Sequence, residues 1–398
     1  MKLSDMKLIP LKQERELTVI AVAFVLLGIL VPALHLFLPV DSALHVPDYM
    51  VQLLGKFACF AMVALALDLI WGFTGVLSLG QGVFFSLGAY CMGMYLMRSM
   101  AGEGMYKSEL PDFMVFLDWK ALPWYWLGFD SFPFALLMAL LVPGLLAFGF
   151  GFLAFRSRIR GVYFSIITQA MTFAMMLLFF RNETGFGGNN GLTDFKRILG
   201  YSMQADGTKV ALYFITVVVL FGSYFMCRAL VHSKAGRVLR AIRDAESKVM
   251  FCGYNPRDFK LFAWTFAAVL SGLAGALYVP QVGIINPSEM EPSSSIEMAI
   301  WVAVGGRGTL VGALLGAGVV NGMKSWLTAS YPDAWLYALA ALFVLVTLLL
   351  PDGLVGLIKR IAAMKRATPK APSGSSPGKS SAALEDGLAV APPTQGKA

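Results

Sequence analysis

The 398-residue sequence predicts an all-α, polytopic transmembrane helical bundle of about ten segments with both termini cytoplasmic. Three observations lead there. Hydrophobic residues make up 57% of the chain and charged residues only 14%, whereas a soluble domain carries about 25% charged residues. Most of the chain therefore has no aqueous surface to cover. Apolar runs of about 20 residues, enough to cross the hydrocarbon core, follow one another along the sequence. Basic residues gather in alternate loops, the pattern that fixes orientation in a bilayer.

The runs fall near 18–38, 50–71, 76–97, 131–155, 161–180, 209–230, 261–281, 296–304, 309–328 and 335–350. Lys2, Lys7, Lys12 and Arg15 place segment 1–17 in the cytoplasm. The run after them is too long for the apolar part of a signal peptide and is read as a retained first helix. Loop 39–49 has no Lys or Arg, and loop 98–130 mixes acidic and basic residues, so both face outward. Arg156, Arg158 and Arg160 turn inward, as does the loop of about 231–260 with its many basic residues. The run 296–304 is too short to span alone; a break at Gly305-Gly306-Arg307-Gly308 keeps the charge alternation intact. The transmembrane domain thus covers 18–357. The Pro-, Ser- and Gly-rich residues 358–398 form a disordered cytoplasmic tail.

The net charge of +8 follows from the topology-setting loops, so no nucleic-acid partner is expected. Cys59, Cys91, Cys227 and Cys252 are not expected to pair, and the three histidines lack metal-ligand spacing. Residues 318–325 (GVVNGMKS) lack the spacing of a phosphate-binding loop, so this chain does not hydrolyse ATP. No HExxH, GxSxG or CxxC motif suggests an enzyme.

Two polar features stand out. From Gly236 to Gly253 the basic loop has helical periodicity, with Val238, Ile242, Ala245 and Val249 on one face and Arg240–Asp244 as an i,i+4 pair. Such a helix suits docking to a soluble partner or lying on anionic headgroups. In the fifth run Ser165, Thr168, Gln169 and Thr172 form one polar stripe. The stripe either lines a wet path for a small neutral solute or hydrogen-bonds between helices. Gln81 and Glu297 are further path candidates. Asp68 and Lys56 are expected near opposite ends of the second span, reaching the interfaces. Loop 182–194, rich in Gly and Asn, is either a gate or a plain connector. Gly312/Gly316, Gly318/Gly322 and the patch Ser271, Gly272, Gly275 allow close helix approach, within the chain or between subunits.

Residues 72–85 (GFTGVLSLGQGVFF), the loop 236–253 with the following 261–278, and 299–312 containing VGGRGT resemble permeases of the branched-chain amino acid ABC importer family over roughly residues 50–357. Within it, 161–170 (GVYFSIITQA), 181–195 (RNETGFGGNNGLTDF) and 284–290 (IINPSEM) resemble the urea-importer branch. The resemblance implies a permease subunit in a bacterial inner membrane, paired with a second homologous permease, two cytoplasmic ATPases and a periplasmic binding protein. It implies no cofactor on this chain, with ATP and Mg used by the partner subunits. It assigns Arg237, Arg240, Arg243, Asp244, Glu246 and Gly253 to ATPase docking. Ser165, Thr168, Gln169, Thr172, Gln81 and Glu297 are the candidates for the path. Two departures are evident: Lys248 and Val249 replace paired alanines, and Gln81 replaces a histidine frequent in amino-acid permeases. Urea is the solute implied; a branched-chain amino acid or short amide is the alternative, and a channel or secondary transporter is the rival class.

Overall fold

In lipid a backbone N–H finds no water, so this sequence satisfies its main chain almost entirely through helices. The computed structural model describes residues 18–332 apart from 19, 40, 43, 105, 158 and 160, together with 337, 338, 340, 341, 344 and 353–357. Segment 1–17, Arg158 and Arg160, most of the run 335–350 and the tail 358–398 lie outside the described residues.

Among the described residues the long helices are α1 (Ile20–Phe37), α2 (Asp48–Thr74), α3 (Gln81–Arg98), α4 (Phe132–Arg156) and α5 (Val162–Phe180), then α6 (Asp206–His232), α7 (Lys234–Phe251), α8 (Pro256–Val282), α9 (Pro292–Gly305) and α10 (Leu310–Ser330). Seven of them are long and apolar enough to cross a membrane: α1, α2, α4, α5, α6, α8 and α10. α9 has 14 residues, a rise of about 21 Å, and stops at the glycine turn that the sequence places there. α3 starts at Gln81, five residues later than the apolar run suggests. Short strands decorate one end: β1 (Leu192–Thr193), β2 (Arg197–Ile198), β3 (Tyr201–Ser202) and β4 (Ile284–Ile285), pairing β1 with β4 and β2 with β3, both antiparallel.

α8 sits at the centre, packed on α2, α3 and α4. The packing depends on small residues, because apolar side chains gain nothing by leaving lipid for one another. A Cβ at Gly275 would overlap the Phe85 carbonyl oxygen, and one at Gly88 would overlap that of Gly272. Gly272 lies against Ala139 and Pro143 of α4, where the proline removes a helical donor. The Trp264 indole N–H donates to Ala147 O at 2.8 Å. α9 and α10 close on each other through Gly305, Gly312 and Gly316. The first GxxxG pair therefore packs within the chain, while Gly318 and Gly322 face open space.

Two sequence expectations are corrected here. Asp68 does not reach an interface: its side chain is fully buried, and its Oδ1 accepts the Gly308 backbone N–H at 2.7 Å. A buried carboxylate persists only with such donors. On α7 the inward face is Leu239, Ile242 and Val249, with Val238 half-buried, and the helix is broken at Ala245 (φ −157°, ψ 75°).

Candidate functional site

Three places hold the polar groups. The first is the interruption between α2 and α3. Gly75 caps α2 at φ +76°, a conformation that costs glycine little. The chain then runs unwound to Gly80. Its main-chain groups need partners, and α5 supplies them. Ser165 Oγ donates to Leu77 O at 2.8 Å, and Thr168 Oγ1 accepts from Leu79 N at 3.1 Å. The Thr172 hydroxyl proton is shared between Leu79 O at 3.1 Å and Thr168 O at 2.8 Å. The hydroxyl stripe thus clasps the unwound segment. Gln169 stands beside the clasp, half-buried, with no hydrogen-bond partner for its Oε1 among the described residues. Thr168→Val keeps the shape and leaves the Leu79 N–H unpaired, so it is expected to cost about 1 kcal/mol. A thermal melt in detergent checks this; an unchanged Tm would contradict the clasp.

The second place is a cavity of about 860 Å³ between α2, the turn 286–291, α9 and α10. Lys56, Glu289, Glu297 and Lys324 all line it. Lys324 Nζ meets Glu297 Oε2 at 2.7 Å, and Tyr278 donates its hydroxyl to Glu289 Oε1 at 2.9 Å. Lys56 lies 5.6 Å from the Phe60 ring centroid and 5.8 Å from that of Tyr278, within cation–π range. Phe60 in turn packs on Trp301, centroids 4.9 Å apart. Burial raises the Glu289 carboxyl above the usual carboxylate range, against the Tyr278 hydrogen bond and the lysines, which lower it. Two lysines and three glutamates, Glu291 being the third, stand beside aromatic rings and make a wall rich in charged and hydrogen-bonding groups. Of the sequence's path candidates only Glu297 is here. Gln81 lies at the α3–α8 contact, its Oε1 accepting from Ser271 Oγ at 2.8 Å and its Nε2 without a partner among the described residues. Lys56, Lys324 and Glu289 were absent from the site expected from sequence, although an ionisable residue inside an apolar run is itself a signal of function.

The third place is α7, at the Gly75 end of α2. Ser233 caps it, its Oγ accepting Gly236 N at 3.3 Å. The expected Arg240–Asp244 pair does not form. Arg240 donates to Val231 O at 3.3 Å, whereas Asp244 accepts from Arg243 Nε at 2.9 Å. Arg243 also donates from its guanidinium to Gly72 O at 2.7 Å. Glu246 pairs with Lys260 at 2.9 Å. Arg237 and Asp244 remain exposed, and Gly253 follows the helix at φ +83°. Phe251, absent from the sequence's candidates, is 92% exposed at the tip.

The geometry is that of a bundle of membrane-length apolar helices with a charged cavity and an amphipathic surface helix. The comparisons agree. Residues 49–349 match the family model described as branched-chain amino acid transport system / permease component. The chain is 24% identical over 335 residues, 78% of this chain and 71% of the relative, to the high-affinity branched-chain amino acid transport system permease protein LivM of Escherichia coli K12. It is 24% identical over 276 residues, 68% of this chain and 78% of the relative, to a probable branched-chain amino acid transport permease protein LivM of Methanocaldococcus jannaschii. It is also 26% identical over 222 residues, 54% of this chain and 61% of the relative, to the autoinducer 2 import system permease protein LsrC of Yersinia pseudotuberculosis. No solved structure matches. The chain belongs to the branched-chain amino acid transport system permease family and is a multi-pass membrane transport component, not an enzyme.

Proposed function

We propose that this chain is one permease of an ATP-driven importer in a bacterial inner membrane, and that its solute is small, neutral and polar, with urea first. It pairs with a homologous permease, receives solute from a periplasmic binding protein and is driven by two cytoplasmic ATPases. ATP and Mg belong to those partners. α7 then faces the cytoplasm, and the strands β1–β4 face the binding protein.

The observation that supports urea is where three stretches of urea-branch resemblance lie. Leu192 in 181–195 pairs with Ile285 in 284–290, and Gly93 of α3 packs against both. The third stretch, 161–170, supplies Ser165 and Thr168 to the clasp. Branch-specific residues thus pack at two places along α3, before its start at Leu77 and Leu79 and near its end at Gly93. A second reading is a branched-chain amino acid. The LivM relatives favour it, and Lys56 with Glu297 and Lys324 could meet a zwitterion among Phe60 and Trp301. Uptake of labelled urea by the reconstituted complex, with leucine and acetamide as competitors, decides between them. Leucine uptake unaffected by urea would overturn the urea reading.

Docking through α7 has its own test. An exposed aromatic side chain such as Phe251 is a typical anchor of a protein interface. Phe251→Ala is expected to weaken ATPase pull-down by at least tenfold, about 1.4 kcal/mol, while membrane insertion is retained. Undiminished pull-down would place the docking surface elsewhere.

A further inference from the structure

We infer that Arg243 is a transmission residue: it couples movement of α7 to α2 and, through Asp68, to the turn between α9 and α10. The inference rests on the reading of α7 as the ATPase-docking helix, and it takes Arg243 out of the docking surface itself.

Arg243 keeps part of its side chain exposed beside Asp244, but its guanidinium reaches back to α2. Its guanidinium donates to Gly72 O at 2.7 Å, and its stem lies along Gly75, where an added Cβ would sit 3.0 Å from Arg243 Cγ. The last turn of α2 is gripped from its other side too. A Cβ at Gly72 would lie 2.5 Å from Gly308 N and 2.7 Å from Gly308 Cα. One turn earlier, Asp68 Oδ1 accepts that same Gly308 N–H at 2.7 Å. Arg307 stacks over Trp71, 5.3 Å from its ring centroid. The end of α2 therefore sits between α7 and the α9–α10 turn, hydrogen-bonded to each.

What α2 carries to its far end gives this clamp a purpose. α2 is one continuous helix from Asp48 to Thr74. Lys56 and Phe60, on the same helix, line the cavity. Sixteen residues separate Lys56 from Gly72, about 24 Å of helix. α9 and α10, which bear Glu297 and Lys324, are joined by the turn that Asp68 holds. A displacement of α7 passed on at Gly72 and Gly308 thus reaches three walls of the cavity. The Glu246–Lys260 pair, by contrast, ties α7 only to the first turns of α8. A fully buried carboxylate is costly, so Asp68 is better explained by a specific contact of this kind than by packing.

The test uses the complete complex of both permeases, both ATPases and the binding protein in proteoliposomes, with hydrolysis and solute uptake measured on one sample. Arg243→Met keeps the stem on Gly75 and removes the donors; Arg243→Lys restores one donor. The expected result for Arg243→Met is bound ATPase that still hydrolyses ATP, with uptake per ATP down about tenfold, a usual size for coupling between linked sites. Arg243→Lys recovers a large part of the ratio. A second readout does not depend on solute identity: nucleotide-driven change in thiol labelling of Ser294→Cys in the cavity, which Arg243→Met is expected to abolish. Unchanged uptake per ATP and unchanged labelling would overturn the inference. So would release of the ATPase by Arg243→Met, which would return Arg243 to the docking surface. If Arg243→Met fails to insert, Asp68→Asn and Asp68→Leu are compared. Asn keeps an acceptor for Gly308 and retains the response, Leu loses it, and equal behaviour of the two overturns the inference.

Discussion

Gly275→Leu is expected to leave almost no folded protein. The Gly275 Cα faces the Phe85 carbonyl of α3, which a Cβ would overlap, and the Ala89 amide nitrogen would lie 2.9 Å away. These are backbone atoms, so no side chain can swing aside. α8 must move off α3, and in moving it loosens the Ser271–Gln81 bond and the contact of Gly272 with α4. Overpacking of this kind costs about 3 kcal/mol or more, a large part of the stability of an ordinary domain. Size-exclusion chromatography of a fluorescent fusion reads the outcome as loss of the monodisperse peak. Gly222→Leu on α6 is the control, because a Cβ there meets nothing within 4 Å. A normal peak for Gly275→Leu would mean that α3 and α8 do not cross as described.

Lys324→Met is expected to reduce transport by at least tenfold while the protein still inserts. The Glu297 side chain is only 14% exposed, and Lys324 Nζ stands 2.7 Å from it. Removing the cation leaves a nearly buried carboxylate short of its partner, and single removal is the damaging operation on such pairs. The wall of the cavity would then carry an excess negative charge. The double variant Lys324→Met/Glu297→Gln restores the original charge balance of the wall and is expected to recover part of the uptake. This makes the pair a double-mutant cycle with a positive coupling. Additive losses in the cycle would show that the two residues act independently.

Much of the architecture was legible because apolar run length and loop charge are direct consequences of the bilayer. The bounds of α2 and α4 to within three residues, the end of α8, the short α9 and the glycine turn after it followed from those rules, whereas α8 starts at Pro256, five residues before its apolar run. The amphipathic α7 was legible from periodicity, yet its register shifted: Leu239 rather than Val238 is the buried residue, and the break at Ala245 interrupts the stripe. What periodicity cannot give is the group a polar face meets. The stripe of α5 was visible, but its partner is an unwound segment almost ninety residues earlier, at Leu77 and Leu79. Asp68 read as an interfacial carboxylate because its donor, Gly308, lies 240 positions away in the chain. Lys56, Glu289 and Lys324 come from three separate segments and converge only when α2, the 286–291 turn and α10 pack together. The resemblance of loop 236–253 assigns Arg243 to docking, but its hydrogen bond to Gly72 O, 171 positions away, is visible only in the fold.

The central claim is that this polypeptide provides the passage while ATPases bound at α7 provide the work. Uptake of labelled solute into proteoliposomes tests it most directly, comparing the complete complex with the purified chain alone, each with ATP and with a non-hydrolysable analogue. Accumulation above the outside concentration is predicted for the complete complex with ATP and for no other sample. Equal uptake by the lone chain, without nucleotide, would contradict the account.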